Sequence, residues 1–137
     1  MVEELVKSLA ERLREMFDGY EVYTESVAMG AEKPSFFVEC EEAEKVQLLG
    51  KRFILRISLS VTLESDSDRK RSESESIMPT IFEAMSVLKT EERIVRGRSL
   101  TGRNESGRLV MRGVYDVFMT DEISEDKIFM METMSER

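Results

Sequence analysis

Phe53-Ile54-Leu55-Arg56-Ile57-Ser58-Leu59-Ser60-Val61-Thr62-Leu63 is the stretch that decides the fold class. Phe53, Leu55, Ile57, Leu59, Val61 and Leu63 fall on one side of an extended chain, and Arg56, Ser58, Ser60 and Thr62 on the other. Successive side chains of a strand point to opposite faces, so this alternation predicts a long strand with one face buried. Such a strand needs neighbours at its edges and cover over its apolar face. The rest of the chain supplies both.

Upstream, residues 20–27 mix aromatic and β-branched side chains, and residues 35–41 carry Phe36, Phe37 and Val38. Gly30 and Pro34 lie between them and predict a turn. Before these, Val2, Leu5, Val6, Leu9, Leu13, Met16 and Phe17 recur at three- and four-residue steps among charged residues, which predicts an amphipathic helix ended at Asp18-Gly19. Downstream, the polar stretch 64–71 leads to Ser72 and Glu75, which have capping-box spacing. Ile77, Met78, Ile81, Phe82, Met85 and Leu88 then repeat at helical spacing. Pro79 interrupts that pattern and predicts a kink or a late helix start, because proline lacks an amide hydrogen and clashes with the preceding turn. Residues 93–103 and 108–119 read as two further strands about a four-residue turn, Asn104-Glu105-Ser106-Gly107. The order is helix, three strands, helix, two strands, tail. Connections of hairpin length predict an α+β fold, with a mostly antiparallel sheet of about five strands and both helices on one face. Residues 1–120 are expected to form a single domain and residues 121–137 an acidic, methionine-rich C-terminal tail. Within that tail Ile128, Phe129, Met130, Met131 and Met134 could pack on the domain or dock on a partner.

The chain has 137 residues and a net charge of −8, from 28 acidic and 20 basic side chains, with one cysteine and no histidine. A chain this long buries roughly two-thirds of its unfolded surface and needs no disulfide or metal to stand. Without histidine it lacks the commonest general acid–base and the commonest metal ligand. The longest apolar run, residues 128–131, is far short of the roughly 20 residues of a membrane span. The first residues show no export signal. A soluble, intracellular protein that is not an enzyme is the expectation, with no cofactor.

Candidate sites for chemistry fall away on their own terms. Gly97-Arg98-Ser99-Leu100-Thr101-Gly102 is one residue too long for a nucleophile elbow and lies in a predicted strand. Gly50-Lys51-Arg52 lacks the serine or threonine and the upstream glycine of a phosphate loop. Glu64, Asp66, Asp68 and Glu75 occupy positions 1, 3, 5 and 12 of a calcium loop, but Arg69 stands where that loop needs glycine. A solvated loop entering a helix is the expectation there. Cys40 reads as a small apolar side chain, because its sequence neighbours offer no cation to activate a thiol.

Charge is segregated along the chain. Residues 1–44 carry twelve acids and four bases, residues 45–119 fourteen bases and ten acids, and residues 120–137 six acids and two bases. Arg93, Arg96, Arg98, Arg103, Arg108 and Arg112 face Glu105 alone within their hairpin. Three readings stand side by side. In the first, the basic face is neutralised by the chain's own acids. In the second, it meets the acidic edge of another copy, in a head-to-tail contact of the kind that closes into rings. In the third, it meets phosphates, as in nonspecific passage of DNA.

Residues Gly19-Tyr20-Glu21-Val22-Tyr23-Thr24-Glu25-Ser26-Val27, then Gly30, then Pro34-Ser35-Phe36-Phe37-Val38 resemble the opening of the phage tail terminator family of prophages and tail-like particles in low-GC Gram-positive bacteria. Gln47-Leu48-Leu49-Gly50-Lys51-Arg52-Phe53 is similar to that family's second signature, and Val95-Arg96-Gly97 to its third. Pro79 departs from the pattern. The resemblance implies a structural virion protein at the upper end of the tail tube, assembled in the bacterial cytoplasm. It implies a homo-hexameric ring that stops tube polymerisation and meets the tube protein, a neck or head-completion protein and, in contractile tails, the sheath. DNA would at most pass through the ring. Gln47, Lys51, Arg52, Arg93, Arg96, Arg98, Arg103, Arg108 and Arg112 are the candidate interface residues; no catalytic or metal residue is implied. A neck or head–tail joining protein of similar fold, or a monomeric acidic adaptor, are the alternatives.

Overall fold

The computed structural model describes residues 1–24, 34–65 and 70–121. Two helices and six strands follow in the order α1 (Val2–Met16), β1 (Glu21–Tyr23), β2 (Ser35–Gln47), β3 (Arg52–Glu64), α2 (Lys70–Ser86), β4 (Val87–Lys89), β5 (Ile94–Glu105) and β6 (Arg108–Thr120). They form an α+β fold around one mixed sheet with strand order β1-β2-β3-β6-β5-β4. Among the described strands, only β1 and β2 pair in parallel; every other neighbouring pair is antiparallel.

The alternating strand lies at the centre of this sheet. On one face, Ile57, Leu59, Val61 and Leu63 of β3 join Phe36 and Val38 of β2 and Leu109, Met111 and Tyr115 of β6 in a single core with residues of both helices. We call this the inner face. Helix α1 buries Leu5, Leu9, Ala10 and Leu13, and α2 contributes Ile81, Ala84 and Met85. The helices are tied together by Arg12, whose Nε donates to the Ala84 carbonyl at 3.0 Å. Arg14 ties α1 to β1 through the Val22 carbonyl at 3.0 Å. At the junction of α1, β1 and β2, Phe17, Tyr20 and Phe36 form a ring cluster with centroids 5.0–5.5 Å apart. The Tyr20 hydroxyl reaches the Glu73 carboxylate of α2 at 2.7 Å.

Several sequence expectations are corrected. The sheet has six strands, because Val87–Lys89, read as the end of the second helix, pairs with residues 94–96 as β4. Strand β2 runs on to Gln47 through an acidic stretch with little apolar content, held by its pairing with β3 along nearly its whole length. Helix α2 begins at Lys70, so Ser72 lies inside it and not at its cap, and the helix continues through Pro79 with no late start. The turn between β5 and β6 is two residues, not four. Ser106 and Gly107 both have positive φ, 51° and 79°, the conformation that matches a tight turn to the twist of the strands it joins. The tail beyond Asp121, the central part of the first resemblance motif, and Asp66 and Asp68 of the calcium-like spacing lie outside the described residues. Glu64 of that spacing is paired with Arg108 at 2.7 Å.

Candidate functional site

The outer face of the sheet, opposite the helices, holds most of the charged side chains of the strands. The register places Glu44, Arg56 and Asp116 side by side across β2, β3 and β6, and Arg98 projects from β5 beside them. Asp116 is the hub. It accepts from Arg98 Nε at 2.8 Å and Nη2 at 3.3 Å, and from Arg56 Nε at 3.1 Å. Arg56 Nη1 lies 3.9 Å from Glu44. The result is an alternating ladder across four strands, acid at the β2 end and base at the β5 end. A second group centres on Arg112, which donates to Glu105 at 2.8 and 3.0 Å and to Glu41 at 2.8 and 3.4 Å.

These pairs set the titration of their members. The Arg98 hydrogen bonds, then those of Arg56, hold the Asp116 carboxyl below the usual aspartate range. Arg112 lowers the Glu105 carboxyl in the same way. A depressed carboxylate contributes stability that is complete above the pKa of an unfolded aspartate, about 3.9, and is lost as pH falls through the lower folded value. Stability is therefore expected to decline below about pH 4, and Asp116→Asn to flatten that acid limb relative to the parent. Acid denaturation followed by circular dichroism measures both.

The candidate residues named from the sequence are dispersed over this scaffold. Gln47 closes the β2–β3 turn, its Nε2 donating to the carbonyls of Gly50 and Arg52, both at 3.1 Å. Lys51 and Arg52 are exposed on that turn, and the Lys51 carbonyl accepts from the Asp121 amide at 2.8 Å. Arg93 caps the neighbouring end by donating to the Phe118 carbonyl at 2.6 Å. Arg98, Arg108 and Arg112 are held in intrachain ion pairs. Arg96 and Arg103 are exposed and, among the described residues, make no ion pair within 4.0 Å. The six arginines thus do not form one free basic patch. The arginine-rich stretch from Arg93 to Arg112 ends four residues short of Asp116, and the cross-strand members of its ion-pair network, Arg56, Glu41, Glu44 and Glu64, lie far off in sequence on β2 and β3. Strand alternation was the available signal, since it places Arg56 and Asp116 on the polar face.

The end of the outer face next to the β2–β3 turn is apolar. Leu49 is 83% exposed, Ile94 68% and Phe118 64%, and Phe118 pairs with Ile54, which pairs in turn with Val46. Elsewhere, an open cleft of about 470 Å³ lies between the start of α1 and β2, lined by Val2, Val6, Lys7, Thr24, Glu39 and Cys40 among others. Cys40 donates to the Glu42 carbonyl at 3.4 Å, and burial, with Glu39 and Glu41 nearby, pushes its thiol up. Among the described residues, no group of three or more Cys, Asp or Glu side chains is placed to hold a metal ion, and no helix is long and apolar enough to cross a membrane.

A family model described as phage tail terminator protein matches residues 4–127. The chain belongs to the phage tail terminator family. The match spans the whole described sheet, all of α2 and all but the first two residues of α1, and the family is a structural one, of the phage virion tail, not a family of enzymes. Tail terminators act together with other tail and head components. No curated protein matches the sequence. A solved chain at 9% identity aligns over 90% of this terminator and 94% of its own length with a TM-score of 0.43. So distant a likeness adds nothing to the assignment.

Proposed function

We propose that this protein forms a six-fold ring on the last ring of the tail tube, stops tube polymerisation, and offers its upper surface to the neck and, in a contractile tail, to the sheath. The observation that carries the reading is the family match over residues 4–127. The distribution of charge and apolar surface supports it. A ring subunit must present unlike surfaces to two neighbours, and this sheet ends in acid on one side and in base on the other. It must also meet a tube and a neck, and the apolar end around Leu49, Ile94 and Phe118 exposes large side chains that a free monomer gains nothing by exposing. The role assigned here has no catalytic step and no cofactor; DNA at most passes through the lumen. Gln47, Lys51 and Arg52 at the turn, and Arg93, Arg96 and Arg103 along the hairpin, are proposed to lie at subunit or tube contacts.

Electron microscopy of particles produced with the gene disrupted tests the proposal. Overlong, unjoined tubes are the expected result. Tails of normal length that fail to join heads would make the protein a neck component, and unaltered, functional particles would overturn both roles.

A further inference from the structure

We infer that copies of this chain join edge to edge, the free edge of β2 in one pairing antiparallel with the free edge of β5 in the next. The inference rests on the ring reading above and names the surfaces that would build it.

It starts from unpaired backbone. On its outer side β2 is covered by β1 only at residues 35–37, and β5 is covered by β4 only at residues 94–96. Among the described residues, 38–47 of β2 and 97–105 of β5 therefore carry open edges, each about 30 Å long at a strand's rise per residue. Unpaired edges of this length invite a strand from another chain. The two covering strands lie at the N-terminal end of β2 and the N-terminal end of β5. In an antiparallel join those ends are opposite, so residues 38–45 of β2 can pair with residues 97–104 of β5 without displacing either covering strand.

Direction agrees. Through the antiparallel pairs β2·β3, β3·β6 and β6·β5, strands β2 and β5 of one copy run in opposite senses. A rotation about an axis along the strands preserves those senses, so β2 of the next copy meets β5 antiparallel.

Register agrees as well. Glu39 and Glu44 both lie on the outer face, although they are five residues apart, because β2 has a bulge between Cys40 and Glu42. Arg98 and Arg103 are likewise five apart on the outer face, because β5 has a bulge between Arg98 and Thr101. Each bulge adds one residue. With Glu39 opposite Arg103, the two slips cancel and Glu44 falls opposite Arg98. The ladder Glu44–Arg56–Asp116–Arg98 then continues into Glu44 of the next copy without a break in its alternation of sign. Like edges repel: Glu39, Glu41, Glu42 and Glu44 outnumber Lys45 on one open edge, and Arg98 and Arg103 outnumber Glu105 on the other, with Arg96 just beyond it under β4. The contact is head-to-tail by charge, and head-to-tail contacts close when their rotation closes.

The full-length chain with Arg103→Glu or Glu39→Arg, each checked for an unchanged melting curve, should need at least about tenfold more protein to reach the assembled mass, since like charges then face each other. The double exchange, Glu39→Arg with Arg103→Glu, should restore assembly. In a Cys40→Ser background, Glu39→Cys with Arg103→Cys should give a ladder of disulfide-linked species on oxidation. Particles of six-fold mass that form equally well with either single reversal and give no ladder would overturn the edge pairing while leaving the ring. A parent protein of monomer mass at every concentration, and on tube ends, would overturn both.

Discussion

Replacing Phe36 with alanine is expected to destabilise the fold by about 3–5 kcal/mol. The ring is fully buried on the inner face of β2 and packs edge-on to Phe17 at 5.0 Å and stacked on Tyr20 at 5.1 Å. Removing it takes away both the transferred apolar surface and the partner of two aromatic contacts, and leaves a cavity where α1, β1 and β2 meet. Strand β1, only three residues long and paired to β2 at Phe36 itself, has little else to hold it. For a domain of this size the melting temperature should fall by roughly 10–20 °C. Phe37, its neighbour on the opposite face, is the control: Phe37→Ala is expected to cost about 1 kcal/mol or less. Calorimetry on the two variants reads the face assignment directly, and equal losses would show that it is wrong.

Gly97→Ala is the second large effect. A methyl at this position would stand 2.6 Å from the Met85 carbonyl oxygen and 3.0 Å from the Tyr115 ring. That carbonyl belongs to the last turn of α2, where the helix supplies no partner of its own. The buried Tyr115 hydroxyl serves instead, donating to it at 2.6 Å, and the same burial pushes the phenol's pKa up. The added methyl must push β5 off the end of α2 and stretch this hydrogen bond. Overpacking and a strained buried bond together are expected to cost about 2–4 kcal/mol. Tyr115→Phe, which orphans the carbonyl without crowding, should cost about 1–3 kcal/mol. The two substitutions act on one contact, so the double variant should lose less than their sum. Strict additivity in denaturant unfolding would refute this account.

The parts of the fold that were legible in the sequence are those whose signal is local. The alternation from Phe53 to Leu63 and the helical stripe of α1 each mark one buried face, and both occupy their predicted places. Strand β4 was illegible because Leu88 continues the spacing of Met85 and Ile81. What makes it a strand is its pairing with Val95, a partner that no local pattern announces. The C-terminal half of β2 was illegible for a related reason: Glu39, Glu41, Glu42 and Glu44 carry no apolar alternation, and the segment is extended because β3 is. The ion-pair ladder failed to show because charge was summed along the chain, whereas Arg56 and Asp116 are neighbours only through the β3–β6 register. Candidate residues chosen by net charge therefore included Arg98 and Arg112, whose charge is already met, beside Arg96 and Arg103, which are exposed.

The pairing of β3 with β6 also governs when this protein can fold. These strands are the middle of the sheet, yet Leu63 must find Leu109, and Arg52 must find Thr120, across 46 and 68 positions of chain. Pairings between such distant segments form slowly, because the intervening chain must be closed before any contact rewards it. During synthesis the nascent chain can build α1 against the β2–β3 hairpin, but β3 keeps one side bare until β6 has emerged. A chain interrupted before residue 108 would present that bare side to its neighbours, so truncated products are expected to aggregate while the complete chain does not.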